Sequence, residues 1–337
     1  MSTVPDGLYQ YGGLPVGVGY FPAIPKDAKV FFVDPANGSD YSDGLTPESP
    51  LDTVAAAYAK TVDKRGDIVF LMSDGGTTGT ARDKAIVWAN SNTHLIGVTA
   101  PGINRRARIS PPSTDAADVD AYTPYITLSG SGCIFANFSL FQGQTEDSKA
   151  SVGIYVSGSR NYLNNVDVIT GAHANQGDEA GTYNLQVLGS ENVFESCYIG
   201  QDTVMRSAAN ANVRFGDGTG TGDQASRNVF KNCIFVMCAD ETTPVFIQTG
   251  HIYDSGRWEL FKDCTFINTG SAYAGGDTIA AGVSWHADTN GWCLLQNCGF
   301  VGCTDVTAAD STKVFAQGPA SGVAVEVGMF KGIDIAA

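Results

Sequence analysis

A short phrase of alternating apolar and polar residues recurs along the chain. Its clearest copy is Asn228–Phe235, which reads Asn-Val-Phe-Lys-Asn-Cys-Ile-Phe. Strand alternation predicts that four of its residues share one parity: Val229, Lys231, Cys233 and Phe235. A polar residue marks each copy, at Asn137, Asn165, Ser196, Asn232, Asp263 and Asn297. Subtraction gives spacings of 28, 31, 36, 31 and 34 residues between these polar markers. Self-similarity at such a period is typical of a solenoid or a propeller.

The content of one period distinguishes these two architectures. A second short β-rich run, closed by glycine, precedes several copies of the phrase, as in Tyr125–Gly130, Val152–Gly158 and Tyr183–Gly189. A propeller blade needs four antiparallel strands and a longer period, whereas a β-helix coil needs only a few short strands and turns. The pattern therefore predicts an all-β fold, a right-handed single-stranded parallel β-helix that extends from residue 29 to residue 337.

Stacked coils place equivalent residues above one another, so the residue after each polar marker should form one inward column. The column reads Phe138, Val166, Cys197, Cys233, Cys264 and Cys298. We expect its cysteines to be reduced and buried, because cysteine is among the most buried residue types. No histidine accompanies the cysteines at zinc spacing, so the sequence predicts neither a metal site nor a cofactor.

Residues 1–28 differ from the rest of the chain. They hold four prolines and five glycines, which predicts an extended N-terminal arm rather than a helix or a central strand. The arm is too apolar to remain solvated, so it either folds back over the first coil or lies on a neighbouring subunit or another partner. We favour the second alternative and predict six partner-binding residues: Leu8, Tyr9, Tyr11, Leu14, Tyr20 and Phe21.

The start of the solenoid contains the only helix that the pattern predicts. A strand at Lys29–Asp34 and a turn-rich loop precede a helix predicted at about residues 50–62, with Ser49 or a neighbour as N-cap and Pro50 at its start. Its predicted apolar face is Leu51, Val54, Ala55 and Tyr58. Such a helix would cap the open end of the solenoid, where unpaired strand edges invite aggregation.

The formal net charge of −15 argues against nucleic acid and anionic membranes as partners. A local exception is the basic group Arg105, Arg106 and Arg108. Residues 1–25 lack the basic segment and the continuous apolar core of a secretory signal, so we expect assembly in the cytoplasm.

An enzyme built on this fold needs carboxylates on the outer face of neighbouring coils, either for hydrolysis or to bind a cation beside a base. One candidate group is Asp167, Glu195, Asp202 and Arg206; the other is Asp254, Arg257, His286 and Asp288. Neither matches a recognisable signature, and we predict no catalytic residue.

Simpler roles are expected for the remaining polar residues. Glu195, Lys231 and Lys262 should form a solvated stripe with weak ion pairs. The four histidines, His94, His173, His251 and His286, should be hydrogen-bonded structural residues. The loop that contains Asp34, Asp40 and Asp43 should be held by Asx hydrogen bonds rather than by calcium.

The run Phe32–Tyr58, followed by Gly66–Val69, resembles the start of pectate-lyase-like right-handed β-helix proteins. This group includes polysaccharide lyases, phage tailspikes and other phage virion proteins. The stretches Trp88–Pro101 and Tyr198–Asn212 are similar to compact β-helix proteins of tailed bacteriophage particles, and that similarity covers most of the chain.

The resemblance implies a virion structural protein without enzymatic activity. Its expected form is a homotrimeric capsid decoration or cement protein on the outer surface of the capsid, docked through its arm on the major capsid protein or another virion protein. The alternative is a tailspike-type protein that binds or cleaves a host surface glycan.

Overall fold

Three parallel sheets wind around one long core. In this computed structural model, the described residues are 10–11, 14–15, 27–76, 78–112, 122–143, 150–219, 224–272, 274–308 and 312–317. Each strand inside a sheet pairs with the equivalent strands one coil earlier and one coil later, and the chain visits sheets 1, 2 and 3 in turn. The architecture is the predicted right-handed parallel β-helix.

Sheet 1 has ten strands: β3 (Val30–Val33), β4 (Ile68–Met72), β7 (His94–Val98), β10 (Ile134–Ala136), β13 (Tyr162–Asn164), β16 (Val193–Glu195), β19 (Asn228–Lys231), β22 (Trp258–Lys262), β25 (Trp292–Gln296) and β28 (Val314–Gln317). Sheet 2 has eight strands: β5 (Thr80–Arg82), β8 (Arg108–Ser110), β11 (Ser139–Phe141), β14 (Asp167–Ile169), β17 (Tyr198–Arg206), β20 (Ile234–Ala239), β23 (Thr265–Asn268) and β26 (Gly299–Val301). Sheet 3 also has eight: β6 (Ile86–Trp88), β9 (Ile126–Leu128), β12 (Val152–Val156), β15 (Tyr183–Val187), β18 (Ala211–Phe215), β21 (Val245–Gln248), β24 (Ile279–Ser284) and β27 (Cys303–Thr307).

The polar markers of the repeat are the turns between sheets 1 and 2. β19 ends at Lys231 and β20 begins at Ile234, so each turn has only two residues. The first residue of every such turn has φ between 53° and 58°: Asn137, Asn165, Ser196, Asn232, Asp263 and Asn297. Asparagine and aspartate tolerate this left-handed conformation better than other side chains do, which explains their recurrence.

The turn also corrects the predicted parity of the phrase. Val229 and Lys231 are partly exposed, whereas Cys233 and Phe235 are buried. Two residues stand between the strands and the first is left-handed, so alternation does not continue from β19 into β20. Phe230, which strict alternation placed outward, is 0% exposed and lies in the core.

The core is built from equivalent side chains stacked in columns. In one column the rings of Phe194, Phe230 and Phe261 stack at centroid distances of 4.4 and 4.6 Å. Each ring gains full burial only when the next coil covers it, at about 25 cal/mol per Å² of apolar area removed from water. This mutual cover explains why single repeats do not fold alone.

The inward column after the polar markers is confirmed. Cys197, Cys233 and Cys264 are 1–2% exposed free thiols, and Cys298 is half-buried. Each thiol faces a carbonyl of the preceding coil; for example, Cys233 Sγ lies 3.4 Å from Phe194 O. Burial, together with the neighbouring thiols of Cys197 and Cys264, raises the pKa of the Cys233 thiol.

A ladder of side-chain amides lines the turn that leads into sheet 1. Asn161 Oδ1 accepts from Cys133 N at 2.8 Å, and Asn192 Oδ1 accepts from Asn161 N at 2.9 Å. Asn228 Oδ1 accepts from Asn192 N at 2.9 Å, so each amide joins its coil to the preceding one. The next position is Glu259, which is 0% exposed and ends the ladder.

The cap of the solenoid differs in detail from its prediction. The helix α1 spans Val54–Ala59, and its N-cap is Thr53, whose side chain accepts from Ala56 N at 3.1 Å, rather than Ser49. Pro50 and Leu51 precede the helix because Leu51 N donates to Phe32 O at 2.9 Å, which ties this segment to β3. Because the helix begins at Val54 rather than near residue 50, its buried residues are Val54 and Ala57.

Helical turns that were not predicted also occur among the described residues, at α2 (Ala174–Gly177) and at the 3₁₀ turn Thr269–Ala272. In the arm, β1 (Gln10–Tyr11) and β2 (Leu14–Pro15) pair antiparallel as a hairpin, which fits an extended backbone. Leu8, Tyr9, Tyr20 and Phe21 lie outside the described residues, and only the backbone is described at Tyr11 and Leu14. The six partner-binding residues therefore stay a prediction.

Candidate functional site

The outer face of sheet 1 carries a continuous apolar column, here called the outer stripe. Its members pair in register from coil to coil: Ile134, Tyr162, Val193, Val229, Leu260, Leu294 and Phe315. All are partly exposed, while their strand neighbours such as Phe194 and Phe230 fill the core. At its C-terminal end Trp292 is 48% and Phe315 is 44% exposed, with ring centroids 5.8 Å apart.

Both faces of a parallel sheet are usually covered, so a partly exposed apolar column on one face indicates a surface for contact. Sequence reasoning missed the outer stripe because it assigned Val229 to the same parity as Cys233. The available signal was the apolar residue that immediately precedes the core phenylalanine, as Val193 precedes Phe194 and Val229 precedes Phe230.

A charged column runs beside the outer stripe, as predicted. Lys231 Nζ lies 2.7 Å from Glu195 Oε1, and Tyr162 Oη donates to Glu195 Oε2 at 2.8 Å. The hydrogen bond from Lys231 is the main cause of a lowered pKa at Glu195. Lys262 pairs in register with Lys231 and is also partly exposed. Glu195 is thus engaged in a surface ion pair.

Asp167 projects from sheet 2 but does not reach solvent. Its carboxylate pairs with the Arg105 guanidinium, and Asp167 Oδ2 also accepts from Arg105 N at 2.9 Å. Arg105 bonds Asn165 Oδ1 as well. Burial raises the pKa of Asp167, and the charge of Arg105 opposes that rise. The structure therefore joins one member of the predicted basic group to the first candidate carboxylate, in a buried ion pair.

Asp202 lies on a bulge of β17. Gly200 pairs with Val236 and Met205 with Cys238, so five steps along β17 match two along β20 and three residues are extra. The bulge exposes Asp202 to solvent. Burial, with the charges of Asp202 and Asp167, raises the pKa of Tyr198 to about 12. Of these three residues Asp202 is the most exposed, because Tyr198 is partly exposed and Asp167 is 0% exposed.

The fourth member of the first set, Arg206, lies apart from this surface. It is 0% exposed and belongs to the interior. The structure therefore does not assemble Asp167, Glu195, Asp202 and Arg206 into one site.

In the second candidate set, partly exposed His286 lies near His251, with ring centroids 6.5 Å apart, but the acid beside His251 is held by structural hydrogen bonds. Asp254 is 1% exposed and accepts from Arg214 Nη2 at 3.0 Å, Gly250 N at 2.6 Å and His251 N at 2.8 Å. These bonds fix a loop and leave the carboxylate buried. Arg257 and Asp288 are exposed.

The histidines and the aspartate-rich loop have the structural roles that were expected. Every histidine Nδ1 accepts a backbone N–H: His94 from Ile134, His173 from Asn175, His251 from Tyr253 and His286 from Asp288. Asp34, Asp40 and Asp43 likewise accept backbone N–H groups of their own loop or its flank. Burial lowers the pKa of His94 to about 4.

Within the described ranges, no group of three or more His, Cys, Asp and Glu side chains is placed to hold a metal ion. The part of the chain that the structure describes also contains no helix of the length and apolarity required to span a membrane.

Comparisons with known proteins define the class of fold. No protein-family model and no curated protein sequence matches the chain. A pectin methylesterase crystallised as a D178A mutant with a hexasaccharide matches with a TM-score of 0.55 and 15% identity, over 90% of this chain and 93% of that one. Pectin methylesterase PemA from Erwinia chrysanthemi matches with a TM-score of 0.52 and 14% identity, over 88% and 91% of the two chains.

A weaker likeness, with a TM-score of 0.45 and 14% identity, is to ORF18 of Geobacillus virus E2, over 82% of this chain and 53% of that one. At 14–15% identity and TM-scores above 0.5, the likeness to the pectin methylesterases establishes the fold alone, a parallel β-helix of the kind found in pectin-degrading enzymes. Because the matched methylesterases are enzymes, the shared fold leaves enzymatic activity of this chain open.

Proposed function

We propose that the chain is a structural protein of a tailed phage particle, a homotrimeric decoration or cement protein on the outer surface of the capsid, assembled in the host cytoplasm. The outer stripe is the observation that carries this proposal. Three copies that turn sheet 1 toward a common axis bury the stripe, including the exposed rings of Trp292 and Phe315.

The charged column beside the stripe supports a second copy as the occupant. It contains both signs, Glu195 next to Lys231 and Lys262, so a neighbouring copy of the same surface can pair with it at the rim. The apolar arm is then left to bind the major capsid protein or another virion protein.

The oligomeric state tests the proposal. We expect a trimer by light scattering coupled to size exclusion for the wild-type chain, and a folded monomer for Leu260→Glu, which places a charge in the stripe. The control is Val87→Glu: Val87 is 59% exposed on β6 of sheet 3, away from the stripe, so its variant should stay trimeric. A monomeric wild type, or a trimeric Leu260→Glu variant, would contradict the interface.

A tailspike-type protein that binds or cleaves a host polysaccharide is the second candidate. The observation that favours it is the exposed carboxylate of Asp202 on the β17 bulge, whose charge helps raise the pKa of Tyr198. Asp167 is buried and already paired with Arg105. Incubation with host polysaccharide, with and without calcium, should release no reducing or unsaturated ends. Cleavage that is lost in Asp202→Asn would favour the second candidate over the first.

A further inference from the structure

A group of buried polar side chains lies behind the β17 bulge, at the corner between sheets 2 and 3. We call it the Arg206 cluster. Its members are all 0% exposed: Thr170, Gln176, Thr182, Asn184, Arg206 and Asn212. Arg206 Nη2 donates to Asn184 Oδ1 at 2.8 Å and to Thr170 O at 3.2 Å. Of the three guanidinium nitrogens of Arg206, Nη2 is the one that donates these hydrogen bonds.

The other polar atoms at the centre of the cluster have no hydrogen-bond partner in the described part of the chain. They are Arg206 Nε and Nη1, both amide atoms of Gln176, and Asn212 Oδ1. Three of these atoms are donors, Arg206 Nε and Nη1 and Gln176 Nε2, whereas the two amide oxygens are acceptors. A buried donor without a partner is destabilising, and more so when it is charged. Three such donors in one cluster indicate a site for a bound acceptor.

Backbone contacts place Gln176 beside Arg206. Ser207 N donates to Gly177 O at 3.2 Å, which docks α2 against the end of β17. Thr182 Oγ1 donates to Gln176 O at 2.8 Å. A Cβ placed on Gly171 would lie 3.1 Å from Thr182 Cγ2 and 3.6 Å from Arg206 Nη2, so Gly171 and Thr182 both border the guanidinium.

The charge of Arg206 is uncompensated within the described residues. The other two buried arginines have acidic partners, Arg105 with Asp167 and Arg214 with Asp254, and Arg206 has none. Burial lowers the pKa of Arg206 to about 10, and no acid among the described residues opposes that effect. The side chain therefore stays cationic at neutral pH, and a buried unpaired charge is strongly destabilising.

We propose that the Arg206 cluster binds a small monovalent anion, chloride, through the Nε–H and Nη1–H groups of Arg206 and the side-chain amide of Gln176. Chloride supplies both the missing acceptor and the missing negative charge. The side chains of the cluster are all 0% exposed, which favours a compact ion over a sugar or a nucleotide. The bound ion stabilises the β17 bulge and the α2 loop.

The test compares full-length protein in sodium chloride and in sodium gluconate at constant ionic strength. We expect a saturable rise in Tm with chloride concentration, of about 4 °C at saturation. Arg206→Met should lose this rise. Gln176→Glu supplies a fixed carboxylate to the guanidinium, so it should be stable in gluconate and insensitive to chloride. Arg257→Met, at an exposed arginine, is the control and should keep the wild-type response.

Crystals grown in sodium bromide give a direct readout, with an anomalous peak expected within hydrogen-bonding distance of Arg206 Nε and Nη1. If Arg206→Met does not fold, Gln176→Glu and the bromide peak decide the question. Equal Tm values for wild type in chloride and gluconate, the same salt response in all variants, or no bromide peak at Arg206 would each overturn the proposal.

Discussion

Glu259 Oε2 accepts two hydrogen bonds from Asn228, one from the backbone nitrogen at 3.0 Å and one from Nδ2 at 2.9 Å. Ser255 Oγ donates to the other carboxyl oxygen at 3.0 Å. Glu259 thus takes the place of the next asparagine in the ladder, but it brings an ionisable group into a fully buried position. Burial raises its pKa to about 8, and the bonds from Asn228 oppose that rise.

This relationship predicts a pH-dependent stability. The folded-state pKa of Glu259, about 8, exceeds the ordinary value of 4.5. The contribution of protonated Glu259 to the free energy of unfolding is therefore complete below pH 4.5 and is lost as pH rises toward 8. Glu259→Gln cannot ionise and should flatten this decline. At pH 9 it should gain on the order of 4 kcal/mol relative to wild type, measured by unfolding between pH 5 and pH 9.

Glu195→Gln is the matched control for this prediction. The Lys231 ion pair lowers the pKa of Glu195, so its contribution to stability is lost at acid pH rather than alkaline pH. The control should therefore keep the wild-type decline between pH 5 and 8. A Glu259→Gln variant with the same alkaline decline as wild type would show that Glu259 is not its source.

The left-handed turns predict a residue-specific response at Asn232, whose φ is 53°. Asn232→Gly should fold with nearly unchanged stability, whereas Asn232→Val should lose about 1–2 kcal/mol, since a β-branched residue is strained in this conformation. Thermal unfolding measures both. Asn164→Val is the control. Asn164 is the last residue of β13, directly before the turn residue Asn165, so valine should be tolerated there. Equal effects of valine at the two sites would rule out backbone strain as the cause.

The cysteine column should resist modification. Cys197, Cys233 and Cys264 are buried free thiols, so a thiol reagent should not reach them without denaturant, while the half-buried Cys298 and Cys303 react first. Cys233→Lys should abolish folding, because a buried unpaired charge costs several kcal/mol. Cys233→Val should fold, since it keeps the site apolar. Rapid labelling of Cys233 in native protein would show that the inward register is wrong.

If the arm docks the protein on a phage capsid as proposed, deletion of residues 1–25 should leave a soluble, folded β-helix that no longer binds the phage shell. The solenoid begins at Val30 and has its own cap in α1, so folding does not require the arm if the arm binds a partner. Circular dichroism and co-sedimentation with particles measure the two properties. Tyr9, Tyr11, Tyr20 and Phe21 are the expected anchors, because truncated aromatic anchors commonly cost about 2 kcal/mol or more.

The structure also defines the contrary outcome for the arm. A small apolar cluster, separate from the main core, is buried on sheet 1 in the first coils: Val30, Phe32, Ile68, Phe70 and Ile96. If the truncated protein aggregates or melts much earlier alone in solution, the arm is an intramolecular cover for this cluster. If it folds and still decorates particles, docking occurs through another face.

The sequence by itself determined the solenoid, its period and its inward column. These features repeat because every coil meets the same steric demand at the same place, as when a left-handed turn residue recurs from Asn137 to Asn297. Because the coils stack, the same residue preference recurs at the equivalent position of each coil, and this repetition is detectable in the sequence without the structure.

Only the tertiary structure decided which side of sheet 1 holds Val229, where α1 begins, and what each candidate acid contacts. Those outcomes depend on single contacts between residues that are distant in the sequence. One example is the ion pair of Arg105 with Asp167, whose partners are 62 positions apart. Asp167 and Asp254 look like available acids in the sequence, but folding buries each against an arginine. A contact made once leaves no periodic signal, because no neighbouring coil repeats it.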